Sequence, residues 1–334
     1  MKAAVYHGPR DIRFEEIAKP VLEGNGILLK VKACGICGSD LHMYKHGLFE
    51  DLGAPVETGR VLGHEFSGEV AEIHGDVPGF KVGDRVSTVG MGGNAEYLII
   101  PELLLPMVHP VSDKVSFEEL ATVEPLATSL HAVNLAKPQP GENHVILGAG
   151  IIGLGVLQVL KTMSDIKTIV VDVSEKRLEM ARQLGADIII NAGEEDALSK
   201  IIDLFGSEQM SFMPTLTGKA DTAYDCAGLS MEFTGKPILK QAVTMVKVNG
   251  KVVVVAVFEK FPEVDFNLMV RKGITIYGSW GWNVEEFKKS IDLIAEGKVD
   301  RKPLITHQFP LEKAAEAYET QLNAKEAIKV IIMP

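Results

Sequence analysis

The sequence predicts an α/β protein in which a doubly wound parallel sheet is combined with a strand-rich domain. Three observations predict this fold class. Strand-like apolar runs alternate with helical patterns from about residue 121, a glycine-rich turn lies between a strand and a helix near residue 150, and short strand-like runs broken by glycine and proline fill the first 110 residues. The chain has 334 residues and 46% hydrophobic content, enough for two domains with their own cores.

The middle of the chain is predicted to form the parallel sheet. Its predicted strands are 145–147, 168–172, 187–191, 222–225 and 252–257. A helix is predicted over 175–185, because Leu178, Ala181 and Leu184 share one face and Gly185 provides a stop signal.

The first and last parts of the chain are predicted to form the second domain together. The strand-like runs of the first part are 27–32, 68–73, 84–88 and 97–100. The tail adds predicted helices at 284–296 and 311–324 and a strand at 328–333, which are too few elements to fold alone. We therefore expect a discontinuous domain of residues 1–125 and 281–334, and a second domain of residues 126–280.

The glycine-rich turn predicts a Rossmann unit that binds a dinucleotide. Gly148 permits a tight turn, Gly150 lets the backbone approach a pyrophosphate, and Gly153 lets the helix pack closely on the strand. Ile151 and Ile152 would open the helix whose free N–H groups face the anion.

The second predicted strand of this unit ends in Asp172, about 20 residues after the glycines. A carboxylate there would accept hydrogen bonds from the adenosine ribose and repel a 2′-phosphate, which favours NAD over NADP. Lys176 and Arg177 follow and would soften that discrimination.

Composition excludes several classes of partner. The net charge of −11 and the absence of basic runs argue against nucleic acid and anionic membranes, which favours a small-molecule partner. The longest uncharged stretch, 145–160, is too short for a typical membrane span. The N-terminal residues lack the pattern of a signal peptide, and three cysteines cannot build a disulfide framework, so a cytoplasmic protein is expected.

Two short segments of the first domain carry residues that bind metals. Cys37 lies in the first segment, His64 and Glu65 lie in the second, and Glu124 follows further along. A thiolate, an imidazole and one or two carboxylates, with one position left open, are what a catalytic zinc requires.

These motifs, together with Gly83–Val86 and the Rossmann glycines in this order, resemble the zinc-dependent medium-chain dehydrogenases. The resemblance covers nearly the whole chain and is closest to the sorbitol, butanediol and threonine dehydrogenase-like members. It implies a GroES-like catalytic domain, one catalytic zinc per chain, NAD as cofactor, and a secondary alcohol, a polyol or the matching ketone as substrate.

The resemblance also implies roles for residues near the metal. Cys37 and His64 would bind zinc directly, and Glu65 and Glu124 would be alternating or water-mediated ligands. Asp40 would fix the tautomer of His64. Ser39 would take the proton of the alcohol and pass it through the cofactor ribose to His42, near solvent.

Further roles concern the cofactor and the substrate. Thr128 would face the nicotinamide, and the backbone around Ser279 would hold its carboxamide. Lys329 matches a basic family position near the cofactor phosphates, but it is also placed to pair with Glu65. Trp280 is left open between a pocket wall, a subunit interface and core packing.

The chain departs from many family members in one respect. A lobe with four cysteines for a structural zinc is missing after Gly83–Val86, so only the catalytic zinc is expected. A homo-dimer or homo-tetramer is expected from the resemblance alone. Two alternatives stay open: a zinc-free quinone or enone reductase of the same fold, and a non-catalytic NAD-binding protein.

Overall fold

A computed structural model of the chain describes residues 1–48, 54–209, 216–228, 235–323 and 325–334. The chain divides into two compact units, Met1–Pro125 with Val284–Pro334, and Leu126–Asn283. Residue 324, where a predicted helix ends, lies outside the described residues.

The strands are numbered in chain order. They are β1 (Lys2–Gly8), β2 (Asp11–Glu16), β3 (Gly26–Gly35), β4 (Arg60–Val61), β5 (Glu65–His74), β6 (Arg85–Val89), β7 (Tyr97–Pro101), β8 (His109–Pro110), β9 (Asn143–Leu147), β10 (Lys167–Asp172), β11 (Ile188–Asn191), β12 (Ser207–Glu208), β13 (Thr217–Gly218), β14 (Ala220–Asp225), β15 (Val246–Val254), β16 (Thr275–Gly278), β17 (Ile305–Pro310) and β18 (Lys329–Met333).

The helices are numbered in the same way. They are α1 (Gly38–His46), α2 (Phe117–Leu120), α3 (Val123–Ala136), α4 (Ile151–Lys161), α5 (Glu175–Gln183), α6 (Ala197–Phe205), α7 (Ile238–Met245), α8 (Phe266–Lys272), α9 (Val284–Ala295) and α10 (Ala314–Leu322). Within the described part of the chain, we find no helix with the length and apolar run that a membrane crossing needs.

The first unit is organised around the long strand β3. Its larger sheet has the order β17-β18-β3-β5-β6-β8, with β7 also paired to β3, and a small sheet has the order β2-β1-β4. At one end of β3, Gly35 pairs with Glu65 of β5, and Cys34 pairs with Ile332 of β18. The C-terminal strand therefore lies in the same sheet as β5, which begins at the predicted ligand Glu65, and β3, which ends two residues before Cys37.

The second unit is built on a six-stranded parallel sheet with the order β11-β10-β9-β14-β15-β16. Valine and isoleucine on these strands pack with helices α6, α7 and α8 into one apolar core. The strand order reverses between β9 and β14, and ligands of such sheets bind outside the carboxyl ends of the strands at this point.

The structure confirms the predicted fold class. The predicted runs of the middle region appear as β9, β10, β11, β14 and β15, and the helix predicted over 175–185 appears as α5. The first hairpin, β1 with β2, was not predicted. Of the three settings considered for Trp280, core packing is wrong, because this side chain is 70% exposed.

We expect Gly153→Ala to destabilise the second unit. A Cβ at this position would lie almost on top of the Gly148 carbonyl oxygen, which belongs to rigid backbone. The free energy of unfolding should therefore fall by about 3 kcal/mol, the upper end for overpacking, as measured by urea denaturation. Gly278→Ala is the control, because nothing lies within 4 Å of the added Cβ at that exposed position. An equal loss in both variants would contradict the packing argument.

Candidate active site

Cys37 is positioned by the start of helix α1. It is the N-cap residue, and its backbone N–H donates to Asp40 Oδ2 at 2.9 Å. The helix ends at Gly47, whose left-handed φ of 69° suits glycine. The short sequence Cys37–Asp40 thus directs the chain from strand β3 into a helix and fixes the cysteine at the turn.

His64 and Glu65 are positioned by the start of strand β5. The preceding Gly63 has a φ of 90°, and a Cβ there would lie 2.6 Å from Cys34 Sγ and 2.9 Å from Asn94 Oδ1. Only glycine fits this turn, which brings both side chains to the same end of β3 as Cys37.

Cys37, His64 and Glu65 converge on one point. Their potential ligand atoms all lie within 4.8 Å of one another, and Glu65 is fully buried. His64 Nδ1 contacts Asp40 Oδ1 at 3.3 Å, which leaves Nε2 as the nitrogen for a metal. A thiol, an imidazole and a carboxylate fit zinc, and three protein ligands are the number typical of a catalytic site.

Protonation in the metal-free cluster follows from burial and charge. Burial, with the negative charge of Glu65, raises the pKa of Cys37 above its usual value. Burial alone would lower the pKa of His64, but Asp40 and Cys37 raise it well above its usual value. The pKa of Asp40 is lowered despite burial, because His64 and the Cys37 N–H stabilise its charged form. A metal must therefore displace protons when it binds.

Lys329 lies beside Glu65, which is the second of the two positions predicted for it. It is fully buried, forms an ion pair with Glu65, and donates from Nζ to the Ile36 carbonyl at 2.8 Å. Gly35 makes room for this pair, because a Cβ there would lie 2.7 Å from Lys329 Cε and would also overlap a carboxylate oxygen of Glu65. Its predicted contact with the cofactor phosphates stays a prediction.

The other residues predicted near the metal lie on helices. Ser39 and His42 are both half-buried on α1, one turn apart. Glu124 lies in the first turn of α3 and is half-buried. Burial would lower the pKa of Lys329, but Glu65 raises it, and Glu124 makes a smaller contribution in the same direction. Glu124 is not part of the three-residue cluster found among the described residues, so its role as a ligand stays a prediction.

The glycine-rich turn joins β9 to α4 as predicted. Gly148 has a φ of 101°, and a Cβ there would lie 2.9 Å from the Ala227 backbone nitrogen. Gly150 is the N-cap of α4, and Ile151 and Ile152 form its first turn. The helix N-terminus and its free N–H groups thus lie at the carboxyl end of β9.

Asp172 is held by backbone N–H groups at the end of β10. Its Oδ2 accepts from Ala149 N at 2.6 Å, and its Oδ1 accepts from Val173 N at 2.7 Å and Ser174 N at 2.8 Å. Arg177 lies near the glycine turn. Its Nη1 is 3.9 Å from the position that a Cβ on Gly150 would occupy. Asp172 therefore ties the glycine turn to the start of α5.

Thr128 and Ser279 lie in the same unit as the glycine turn. Thr128 is half-buried on α3, and the hydroxyl of its neighbour Ser129 donates to the Ile152 carbonyl at 3.0 Å. Ser279 is buried directly after β16, and its backbone N–H donates to the Val254 carbonyl at 2.9 Å. Their predicted contacts with the nicotinamide stay predictions.

Arg301 was not singled out from the sequence. It is 0% exposed, although Asp300-Arg301-Lys302 has the sequence of a solvated, charged turn. No motif or periodicity marks this arginine, so its burial could be found only from the fold.

Comparison with known proteins identifies the family. Residues 23–112 match the alcohol dehydrogenase GroES-like domain, and residues 152–296 match the zinc-binding dehydrogenase family. The sorbitol dehydrogenase of Bacillus subtilis (strain 168) is 33% identical over 363 residues, covering 100% of this chain and 97% of that protein.

Two solved structures extend the comparison. The structure of 2R,3R-butanediol dehydrogenase from Bacillus subtilis is 32% identical with a TM-score of 0.84, covering 100% of this chain and 99% of that chain. A short chain alcohol dehydrogenase from E. coli CFT073, complexed with NADH, is 25% identical with a TM-score of 0.83 and the same coverage. The chain belongs to the zinc-binding alcohol dehydrogenase family, and it is an oxidoreductase of the alcohol and polyol dehydrogenase type.

We expect Asp40→Ala to destabilise the metal-free protein. Asp40 is fully buried and accepts from Cys37 N and Gly63 N besides contacting His64, so its loss leaves buried donors unsatisfied. The free energy of unfolding should fall by about 3 kcal/mol or more, as measured by urea denaturation with a chelator present. The exposed Asp113→Ala should change it by less than about 0.5 kcal/mol. Equal effects would show that Asp40 does not organise this end of β3.

Proposed function

We propose that the chain is a zinc-dependent, NAD-linked dehydrogenase of secondary alcohols or polyols. The observation that carries this proposal is the buried cluster of Cys37, His64 and Glu65, with Asp40 on the far nitrogen of the imidazole. In the proposed reaction, the alcohol is oxidised to a ketone, NAD⁺ takes the hydride, and one proton is released.

Cys37 Sγ, His64 Nε2 and a Glu65 carboxylate oxygen would hold the zinc. Bound there, the ion would polarise the substrate oxygen and lower the pKa of its hydroxyl. The contact between His64 and Asp40 orients the imidazole, and such outer contacts raise the basicity of a ligand. Buried Lys329 forms an ion pair with Glu65, which compensates for placing this carboxylate in a buried site.

Ser39 and His42 are proposed to carry the proton. Both side chains lie on α1, which begins at the ligand Cys37, so one helix positions the metal and the acid–base groups. Ser39 Oγ would accept the proton of the alcohol as it releases its own hydroxyl proton, and His42, one turn further and half-exposed, would release a proton to solvent.

NAD is the proposed cofactor because the second unit has the features of a dinucleotide site. The Gly148–Gly153 turn, the N-terminus of α4 and Asp172 lie together at the carboxyl ends of β9 and β10, which supports a dinucleotide at this edge of the sheet. The structural relative complexed with NADH supports the same choice. The relatives named for sorbitol and butanediol support a polyol or a diol as the substrate. A homo-dimer or homo-tetramer stays a prediction.

We expect Cys37→Ser and His64→Ala to abolish zinc binding and turnover while leaving NAD binding intact. Elemental mass spectrometry should find about one zinc per chain in the unmodified protein, as expected for one site of this type, and NADH formation should follow with a panel of diols and polyols. Cys34→Ala is the matched control. Its thiol is also buried in the first unit, but it does not belong to the metal-ligand cluster, so zinc should be retained.

The same experiment distinguishes the alternatives. A zinc-free protein that binds NADH and reduces quinones or enones would replace the proposal with the reductase of the same fold. Full activity in Cys37→Ser would show that the cluster does not carry the chemistry.

We expect Ser39→Ala to lower kcat by about 10²–10⁴-fold, the usual contribution of acid–base catalysis. Zinc content should not change, because Ser39 is outside the metal-ligand cluster. Ser39→Thr, which keeps the hydroxyl, should recover much of the loss. Steady-state kinetics with a saturating substrate measures the effect, and an unchanged kcat in Ser39→Ala would remove this serine from the mechanism.

A further inference from the structure

Arg301 is a buried cation that the mechanism above does not use. It lies between α9 and β17, next to a short 3₁₀ turn, and it is among the largest fully buried side chains of the described chain. Burying an arginine is costly unless negative charge or hydrogen-bond acceptors compensate. Its surroundings should therefore explain why it is there.

One compensating contact ties Arg301 to the segment before α3. Its Nε donates to Thr122 Oγ1 at 3.2 Å, and Thr122 in turn donates to the Glu119 carbonyl at 2.7 Å. The preceding residue, Ala121, has its carbonyl oxygen 3.2 Å from the position of a Cβ on Gly35. Glu65 and Lys329 crowd the same position, so this segment lies against their ion pair.

The charge of Glu65 also connects this residue with Arg301. Burial lowers the pKa of Arg301 to about 9, against the opposing effect of Glu65, which raises it. The guanidinium is therefore charged at neutral pH. Glu65 thus has two buried cations near it, Lys329 in direct contact and Arg301 within electrostatic reach.

Arg301 adds a second buried positive charge near the metal ligands. Lys329 is the first, and it forms an ion pair with Glu65. Each positive charge lowers the attraction of this site for a cation, so the site would hold a divalent cation more strongly without Arg301.

We propose that Arg301 is a positioning residue that, together with Lys329, offsets the charge of Glu65 and thereby lowers the affinity of the site for zinc. This inference rests on the proposed function, because it concerns the same metal site. A residue outside the set of metal ligands would thus control the affinity for zinc.

Zinc affinity measured by competition with a chromophoric chelator tests the proposal on the metal-free full chain. We expect Arg301→Met to bind zinc about tenfold more tightly, because the loss of one nearby positive charge strengthens the attraction of the site for a divalent cation. Arg301→Lys should bind like the unmodified chain, because it keeps the charge. If Arg301→Met does not fold, Arg301→Gln, which also removes the charge, is measured instead with the same expectation.

Two matched controls separate charge from packing. Lys302→Met removes the neighbouring cation, whose side chain is 70% exposed and screened by water, so zinc affinity should not change. Thr122→Val removes the hydrogen-bond acceptor of Arg301 but keeps the charge of the arginine. It should therefore lower thermal stability without raising the affinity for zinc.

Unchanged or weaker zinc binding in the neutral variant would overturn the proposal and leave Arg301 as a packing residue. Absence of zinc binding in the unmodified chain would instead contradict the proposed function, so the two failures are distinguishable.

Discussion

The buried carboxylate of Asp40 is the interaction on which the metal-ligand cluster depends. It accepts hydrogen bonds from Cys37 N and Gly63 N and contacts His64 Nδ1, so one side chain joins the start of α1 to the start of β5. These two segments are separated in sequence, and neither would hold its ligand in place alone. The partners are donors, which explains why Asp40 stays charged although it is fully buried.

Close backbone approach is the corresponding constraint in the second unit. Gly153 of α4 packs so near the Gly148 carbonyl that no side chain fits, and Gly148 packs against Ala227 after β14. The glycine turn is therefore pressed between its own helix and the neighbouring strand end. This packing positions the N-terminus of α4 at the point where the strand order reverses, so the same glycines serve the fold and the proposed cofactor site.

The sequence predicted what depends on local pattern and missed what depends on distant pairing. Buried parallel strands produce apolar runs, so β9, β10 and β14 were recognisable, and the ligand types were recognisable from their chemistry. The resemblance anticipated the pairing of Lys329 with Glu65, but the full burial of this lysine depends on the register of β18 against β3, which no local pattern encodes. Arg301 is a stronger case, since a charged turn in the sequence becomes a fully buried cation that contacts Thr122, 179 residues away.

The hydrogen bonds of Asp172 limit what this residue can contribute to the recognition of a ribose. A carboxylate offers about four acceptor positions, and backbone N–H groups of Ala149, Val173 and Ser174 occupy three of them. A ribose with two hydroxyls would therefore find one free acceptor on this side chain instead of a full pair. An acidic side chain at this position would still repel a 2′-phosphate. Preference for NAD would then come more from the exclusion of NADP than from recognition of the ribose, and Asp172 serves first to hold the glycine turn against α5.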